Sequence, residues 1–180
     1  MPRINPREAG GANVAAFLDM TRVSEIGPEM MAASDSGYNV LVGSLPGKLK
    51  LFHDYSHHPL PPGMAIEYSP GLWSTAAGGY QILSRYWKHY QNLLGLHDFG
   101  PVNQDRYAIH MFKERGALDD IKAGLIRDAI ARCSNTWASF PGAGYGQHEH
   151  QIETLIDAYI NAGGSLHSDE KDWFDRVVKV

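Results

Sequence analysis

Glu25 ends an apolar-patterned stretch and opens a loop, a place from which a carboxylic acid can overhang a cleft. A partly apolar setting, here Val23, Ile26 and Tyr80, favours the neutral acid and would keep its proton near neutral pH. Such a group can protonate a leaving oxygen. Taken alone, the position also fits a solvated carboxylate at a helix end. A second constellation is "STAAGGYQILSRYW", residues 74–87. Its small residues let a backbone or a flat sugar ring approach closely, and Gln81, beside Tyr80, both donates and accepts hydrogen bonds, as hydroxyl and acetamido groups require. A glycine turn leading into an ordinary helix is the plainer alternative. Aromatic residues gather in loop segments, Tyr55, Tyr68, Trp73, Phe140 and Tyr145 among them, and aromatic faces stack on the apolar faces of sugars. Trp73 and Phe140 could equally pin their loops to the core.

The histidines invite a metal reading. His53, His57 and His58 lie near one another, and His148 and His150 flank Glu149. "HEHQI" is not the H-E-x-x-H pattern of zinc peptidases, and a helix would set His148 and His150 on different faces. No metal and no cofactor are expected, and these side chains read as surface or hydrogen-bonded histidines. The single cysteine, Cys133, has no basic neighbour and reads as a small core residue rather than a nucleophile. No G-x-S-x-G elbow is present, and "GAGYG" follows no strand, so neither serine catalysis nor phosphate cradling is indicated.

The elements that must position these groups are mostly helical. Val14, Phe17, Leu18 and Thr21 recur at helical spacing behind a possible Asn13 cap, which predicts an amphipathic helix over 13–24. "YNVLV" (38–42) and "KLKLFHDY" (48–55), with Pro46-Gly47 between them, predict a small β-hairpin. Residues 56–79 are too rich in proline and glycine for regular structure and read as a long loop. Helices are expected over 80–94, 102–114, 117–122, 125–136, 149–162 and, more weakly, 168–178. A second loop, "SFPGAGYGQH", has glycine at 142, 144 and 146, giving a backbone free to close over a ligand. The fold class is α+β: a mainly helical body, a small β-hairpin or sheet, and two flexible loops.

Length and charge remove other classes. At 180 residues with 43% hydrophobic and 20% charged side chains, the chain is globular in composition and of one-domain size. The net charge is −4, and only residues 80–132 lean slightly positive, so nothing is basic enough to indicate nucleic acid. No apolar run reaches the ~18 residues of a membrane span, and the N-terminus lacks the order of a signal peptide, so a soluble cytosolic product is expected.

Together, "AFLDM…SE" (16–25), "GYNVLVG", "FHDYSHHP", "STAAGGYQILSRYW", "LGLHDFGPVNQD", "KERGALDDI", "IRDAIARCSNTWASFPGAGYGQHEH" and "AGG" (162–164) resemble the endolysins of lambda-type phages, lysozyme-like lytic transglycosylases. The resemblance covers residues 14–164 in order. "RCSNTWASFPGAGYGQ" is its most specific segment. The turn "SLPGKLK" is longer than the family pattern, and residues 1–12 and 165–180 are unmatched extensions of what would be one catalytic domain. The extra tail could add a helix through Trp173, Val177 and Val180 or hang free.

The resemblance implies a lysozyme-like fold with a glycan-binding cleft, loops 56–73 and 138–150 as its lips. It implies that Glu25 is the single catalytic acid and base, that Tyr80 and Gln81 line the floor, that Thr75 and Asn135 lie close by, and that Tyr55 and Tyr145 contact substrate. The substrate would be the glycan strand of bacterial peptidoglycan, cut between N-acetylmuramic acid and N-acetylglucosamine with a 1,6-anhydro end. An intramolecular hydroxyl nucleophile needs no second carboxylate, so Asp35 and Asp54, the nearest rivals, are left without that role. A monomer is expected, held in the host cytoplasm until a holin lesion lets it reach the wall. The competing classes are a hydrolytic muramidase on the same fold, a zinc amidase or peptidase, and a non-catalytic wall-binding module.

Overall fold

A helix whose apolar residues fill only one stripe lies on a surface, whereas residues 14–22 are buried almost all round, Phe17, Leu18, Met20, Thr21 and Arg22 completely. They belong to a central helix rather than the amphipathic one expected. In the computed structural model, which describes residues 2–144 and 149–178, this helix is α2, Ala12–Ile26. Before it lies α1, Pro6–Ala9, capped by Asn5, whose carboxamide oxygen accepts from the Glu8 amide at 2.9 Å. After it come α3 (Pro28–Ala32), β1 (Ile66–Ser69), β2 (Leu72–Ser74) and the helices α4 (Ser84–Leu94), α5 (Pro101–Glu114), α6 (Leu118–Ala123), α7 (Ile126–Cys133), α8 (Ile152–Asn161) and α9 (Ser168–Val178). The chain forms two compact units, Met1–Ser24 with Ala108–Val180, and Glu25–Tyr107.

In the first unit Phe17 meets Phe112 edge-on at 5.0 Å between ring centroids, and Trp137 bridges Phe112 and Phe140 at 5.3 and 5.7 Å. Such edge and tilted pairs add to the burial of the rings themselves. Cys133 sits fully buried in this unit, and burial pushes its thiol up to about 12, the inert core residue expected. Asn13 is not a cap. It lies inside α2, its amide reaching the carbonyls of Lys122 and Ser165 at 3.1 and 3.3 Å while its oxygen accepts from the Ser165 amide at 2.9 Å.

The tail beyond Ser165 does not hang free. It forms α9, in which Glu170 is 3% exposed and accepts from Arg127 Nε at 3.0 Å, while the same guanidinium covers the Trp173 ring at 4.4 Å. His167 donates its amide to the Gly124 carbonyl at 3.1 Å. A side chain at Gly124, whose φ is +79°, would strike the backbone of Ser165 and His167, so the docked tail requires glycine there.

In the second unit Phe99 is the hub. Its ring lies 4.8 Å from Trp87, 4.6 Å from His58 and 5.8 Å from Phe52. His58 is buried and neutral in character: Nε2 donates to the Ile82 carbonyl at 2.8 Å, Nδ1 accepts from the Leu60 amide at 3.2 Å, and desolvation lowers its pKa.

The sheet falls elsewhere than expected. β1 and β2 pair antiparallel within residues 56–79, Ile66 opposite Ser74 and Glu67 opposite Trp73, with a register shift between Glu67 and Ser69. Pro70-Gly71 makes the turn, Gly71 at φ +74° donating its amide to Glu67 Oε1 at 2.8 Å. Residues 38–55, expected as the hairpin, carry only isolated antiparallel bridges, Val40 with Leu51 and Leu45 with Lys48. There the Ser44 side chain takes ladder positions, lying 2.8 and 3.2 Å from the Leu41 and Lys50 carbonyls and accepting from the Lys50 amide at 3.0 Å. The edge of Val40–Val42 is shared with a second neighbour, Val42 N–H donating to Ala76 O at 3.0 Å and Gly78 N–H to Val40 O at 2.9 Å.

Candidate active site

Glu25 occupies the last turn of α2, half-buried, between buried Ser24 and Ile26. Gly27, at φ +82°, and Pro28 then turn the chain into α3, so the carboxylate sits where the helix stops. Ser24 is anchored. Its hydroxyl meets that of Ser139 at 2.7 Å, and its carbonyl accepts from His150 Nε2 at 3.1 Å. His150 also donates its backbone amide to the Ser139 carbonyl at 3.0 Å. One end of the 138–150 loop is thereby fastened to the residue before Glu25. Of the surface or hydrogen-bonded histidines expected, His150 is a hydrogen-bonded one; its partner, a backbone carbonyl 126 positions away, leaves no motif to find.

The described part of that loop is internally tied. Glu149 accepts from the amides of Gly142 and Gly144, both at 2.8 Å, which holds its carboxyl below the usual glutamate range. Phe140, fully buried against Trp137 and Phe17, pins the base of the loop to the core, the second of the two readings considered for it. Asn135 lies exposed in the turn after α7. Tyr145 and His148 lie outside the described residues.

The other expected site residues share the 25–107 unit with Glu25. Tyr55 is half-buried and donates its hydroxyl to Asp35 Oδ2 at 2.8 Å. Asp54 is exposed, with the Ser56 amide on Oδ1 at 2.8 Å holding its carboxyl low, which suits neither a proton donor nor a buried base. Trp73 stands 62% exposed on β2, unpinned to any core. Thr75 Oγ1 accepts from the amide and the hydroxyl of Ser84, both at 3.1 Å, and so caps the first turn of α4 from nine residues upstream.

Tyr80 and Gln81 do not open a helix. The helix expected from residue 80 begins at Ser84, because Ala77 and Ile82 pair antiparallel and Gly78–Gln81 form the turn between them. Gln81 adopts φ +47°, a left-handed conformation that a non-glycine residue enters only at some energetic cost. Its Nε2 donates to the Gly78 carbonyl at 3.0 Å, and the residue stays half-buried. Tyr80 lies beneath the turn, 2% exposed, donating its hydroxyl to Asp105 at 2.6 Å. Strained backbone of this kind is characteristic of sites where geometry serves a ligand. Among the described residues no three His, Cys, Asp or Glu side chains are grouped to hold a metal ion.

The family model named Endolysin matches residues 15–166. The endolysin of Escherichia phage P2 is 49% identical over 166 residues, 91% of this chain and 98% of that protein. The endolysin of Escherichia phage lambda is also 49% identical, over 153 residues, 84% of this chain and 91% of that protein. A solved structure of bacteriophage lambda lysozyme complexed with a chitohexasaccharide superposes with a TM-score of 0.76 at 45% identity, covering 93% of this chain and all of that one. A second structure of lysozyme from bacteriophage lambda gives 0.74 at 45% identity. The chain belongs to the endolysin family and has the lysozyme-like α+β fold, as the sequence resemblance implied. Helix α9 lies beyond the family match.

Proposed function

We propose that this endolysin is a lytic transglycosylase that cuts peptidoglycan glycan strands between N-acetylmuramic acid and N-acetylglucosamine and thereby lyses the host. The observation that carries the reading is the placement of Glu25: half-buried, at the end of α2, within the span matched by the family model. The glycan-bound lambda lysozyme, 45% identical, supports a saccharide substrate.

In this reading Glu25, protonated, gives its proton to the glycosidic oxygen as the bond from that oxygen to C1 of muramic acid breaks. The C6 hydroxyl of the same ring attacks C1, and its proton returns to the Glu25 carboxylate. One bond to C1 is exchanged for another, no water is consumed, and the enzyme ends in its starting state. The internal nucleophile enters with an effective concentration of ~10⁵ M or more when well oriented, which removes the need for a second carboxylate. Gln81 meets glycan hydroxyl or acetamido groups from the strained turn, with Tyr55 and Thr75 of the same unit as further contacts. Among the described residues no helix is long and apolar enough to cross a membrane. The whole chain serves as one catalytic domain, works as a monomer, needs no cofactor, and reaches the wall from the cytoplasm through a holin lesion.

Mass spectrometry of fragments released from purified Gram-negative peptidoglycan tests this directly. Fragments ending in 1,6-anhydromuramic acid from the natural protein, and none from Glu25→Gln, are the expected result. Reducing muramic ends would show hydrolysis instead, and cleavage by Glu25→Gln would remove Glu25 from the chemistry.

A further inference from the structure

Asp105, on α5, is a fully buried carboxylate, and the residue before it, Gln104, is a fully buried amide. Burying a carboxylate is costly unless strong donors meet it. Here two phenols converge on one oxygen: Tyr38 and Tyr80 both donate to Oδ1, at 2.7 and 2.6 Å. Gln104 adds a second grip. Its Oε1 accepts from the Gly79 amide at 2.9 Å, and its Nε2 reaches the carbonyls of Tyr38 and Phe99 at 3.0 and 2.8 Å. A side chain at Gly78, whose φ is +78°, would run into the Gln104 carboxamide, so the turn is drawn tightly onto α5.

The two phenols come from different stretches. Tyr80 immediately precedes Gln81, the residue held in the left-handed conformation. Tyr38 follows Gly37, whose open face meets Ile26, with a Cβ there lying 3.2 Å from Ile26 Cγ1, and Ile26 follows Glu25. One carboxylate oxygen thus ties Tyr38, next to the glycine packed against Ile26, to Tyr80, the residue before Gln81, all within the 25–107 unit.

We propose that Asp105, with Gln104, is a positioning residue that fixes the Gly78–Ile82 turn and so sets Gln81 for glycan binding. It touches no substrate and acts through Tyr80 and the turn. This rests on the reading of Gln81 as part of the glycan-binding floor. Charge-assisted hydrogen bonds suit the role because they resist the strain that Gln81 imposes on the turn.

The test is calorimetric titration of chitohexaose into the natural protein, Asp105→Asn, and a control of purely structural effect, Leu96→Ala, a buried side chain in the same unit. All are measured well below their melting temperatures. Asp105→Asn keeps the shape and removes the charge, and should bind about tenfold more weakly, the scale of one charge-assisted hydrogen bond. Leu96→Ala should melt earlier yet bind within about twofold of the natural protein, since a folded core variant keeps its surface. Unchanged binding by Asp105→Asn overturns the proposal alone. If Asp105→Asn does not fold, Tyr80→Phe and Tyr38→Phe each remove one donor without loss of ring volume. Weakening of about threefold in Tyr80→Phe then supports the proposal, and unchanged binding in both overturns it. No binding by the natural protein overturns the floor reading, and the proposal falls with it.

Discussion

The hydroxyls of Ser24 and Ser139 lie 2.7 Å apart although 115 positions separate them in the chain. With the His150 bond to the Ser24 carbonyl, this contact makes the residue before Glu25 a fastening point for the 138–150 loop. Ser139→Ala should therefore lower stability by only about 0.5–1.5 kcal/mol, the worth of one partly buried hydrogen bond. It should nonetheless accelerate hydrogen exchange at the His150 amide, which bonds to the same residue's carbonyl. Exchange at His150 no faster than in the natural protein would show that the loop is held by other contacts.

The Glu149 carboxylate gives the loop a pH dependence of definite sign. Its folded pKa lies below the ordinary 4.5, so the contribution of its two amide bonds is complete above that value and is lost as pH falls through the lowered one. The amide proton shifts of Gly142 and Gly144, followed by NMR, should titrate with a midpoint below 4.5, and Glu149→Gln should abolish that titration. A midpoint at or above the ordinary value would contradict the arrangement.

Gln81 predicts a separation of stability from binding. Glycine enters φ +47° without the side-chain penalty, so Gln81→Gly should be neutral or more stable by up to about 1 kcal/mol once the lost Nε2 contact is offset. The same change removes the carboxamide and should weaken chitohexaose binding severalfold. A variant that melts earlier and binds normally would show the carboxamide to be a structural prop.

Glu170→Ala strips the buried partner from Arg127 and should lower stability by about 1–3 kcal/mol in urea unfolding, discounted toward the lower end because Arg127 is partly exposed. Catalysis should be unaffected at temperatures where the variant is folded. Arg127 and Trp173 should couple by about 0.5–1 kcal/mol in a double-mutant cycle, as expected of a partly exposed cation–π pair. Additive effects of the two substitutions would exclude that contribution.

What could be read in advance divides by the range of the interactions involved. Helix α5 and the tail helix α9 came close to their expected spans because 3.6-residue periodicity is local, and Glu25 fell in a helix end for the same reason. The strands were misplaced although the signal was present twice. Pro70-Gly71, between Tyr68 and Leu72-Trp73, is the same turn chemistry as Pro46-Gly47, but its proline-rich surroundings hid it, while at 38–55 the Ser44 hydroxyl competes with the ladder. Asn5-Pro6 with Glu8 is a legible helix start that went unread. Tyr80 was expected on the cleft floor beside Gln81, and nothing near it in sequence announces Asp105, 25 residues away, which holds its hydroxyl in the interior. The anchoring of Ser24 by Ser139 and His150 is equally non-local.

The docking of α9 bears on how such a tail could be moved between lysozymes. Its seat is dispersed: Asn13 holds Ser165, Gly124 makes room for the backbone of 165–167, and Arg127 receives Glu170 and Trp173. Residues 165–178 grafted onto a relative that has a side chain at the position of Gly124 would meet a steric block before reaching any ion pair. The appendage is therefore portable only together with three residues far upstream of it, and a recipient lacking them would display the apolar face of α9 to solvent.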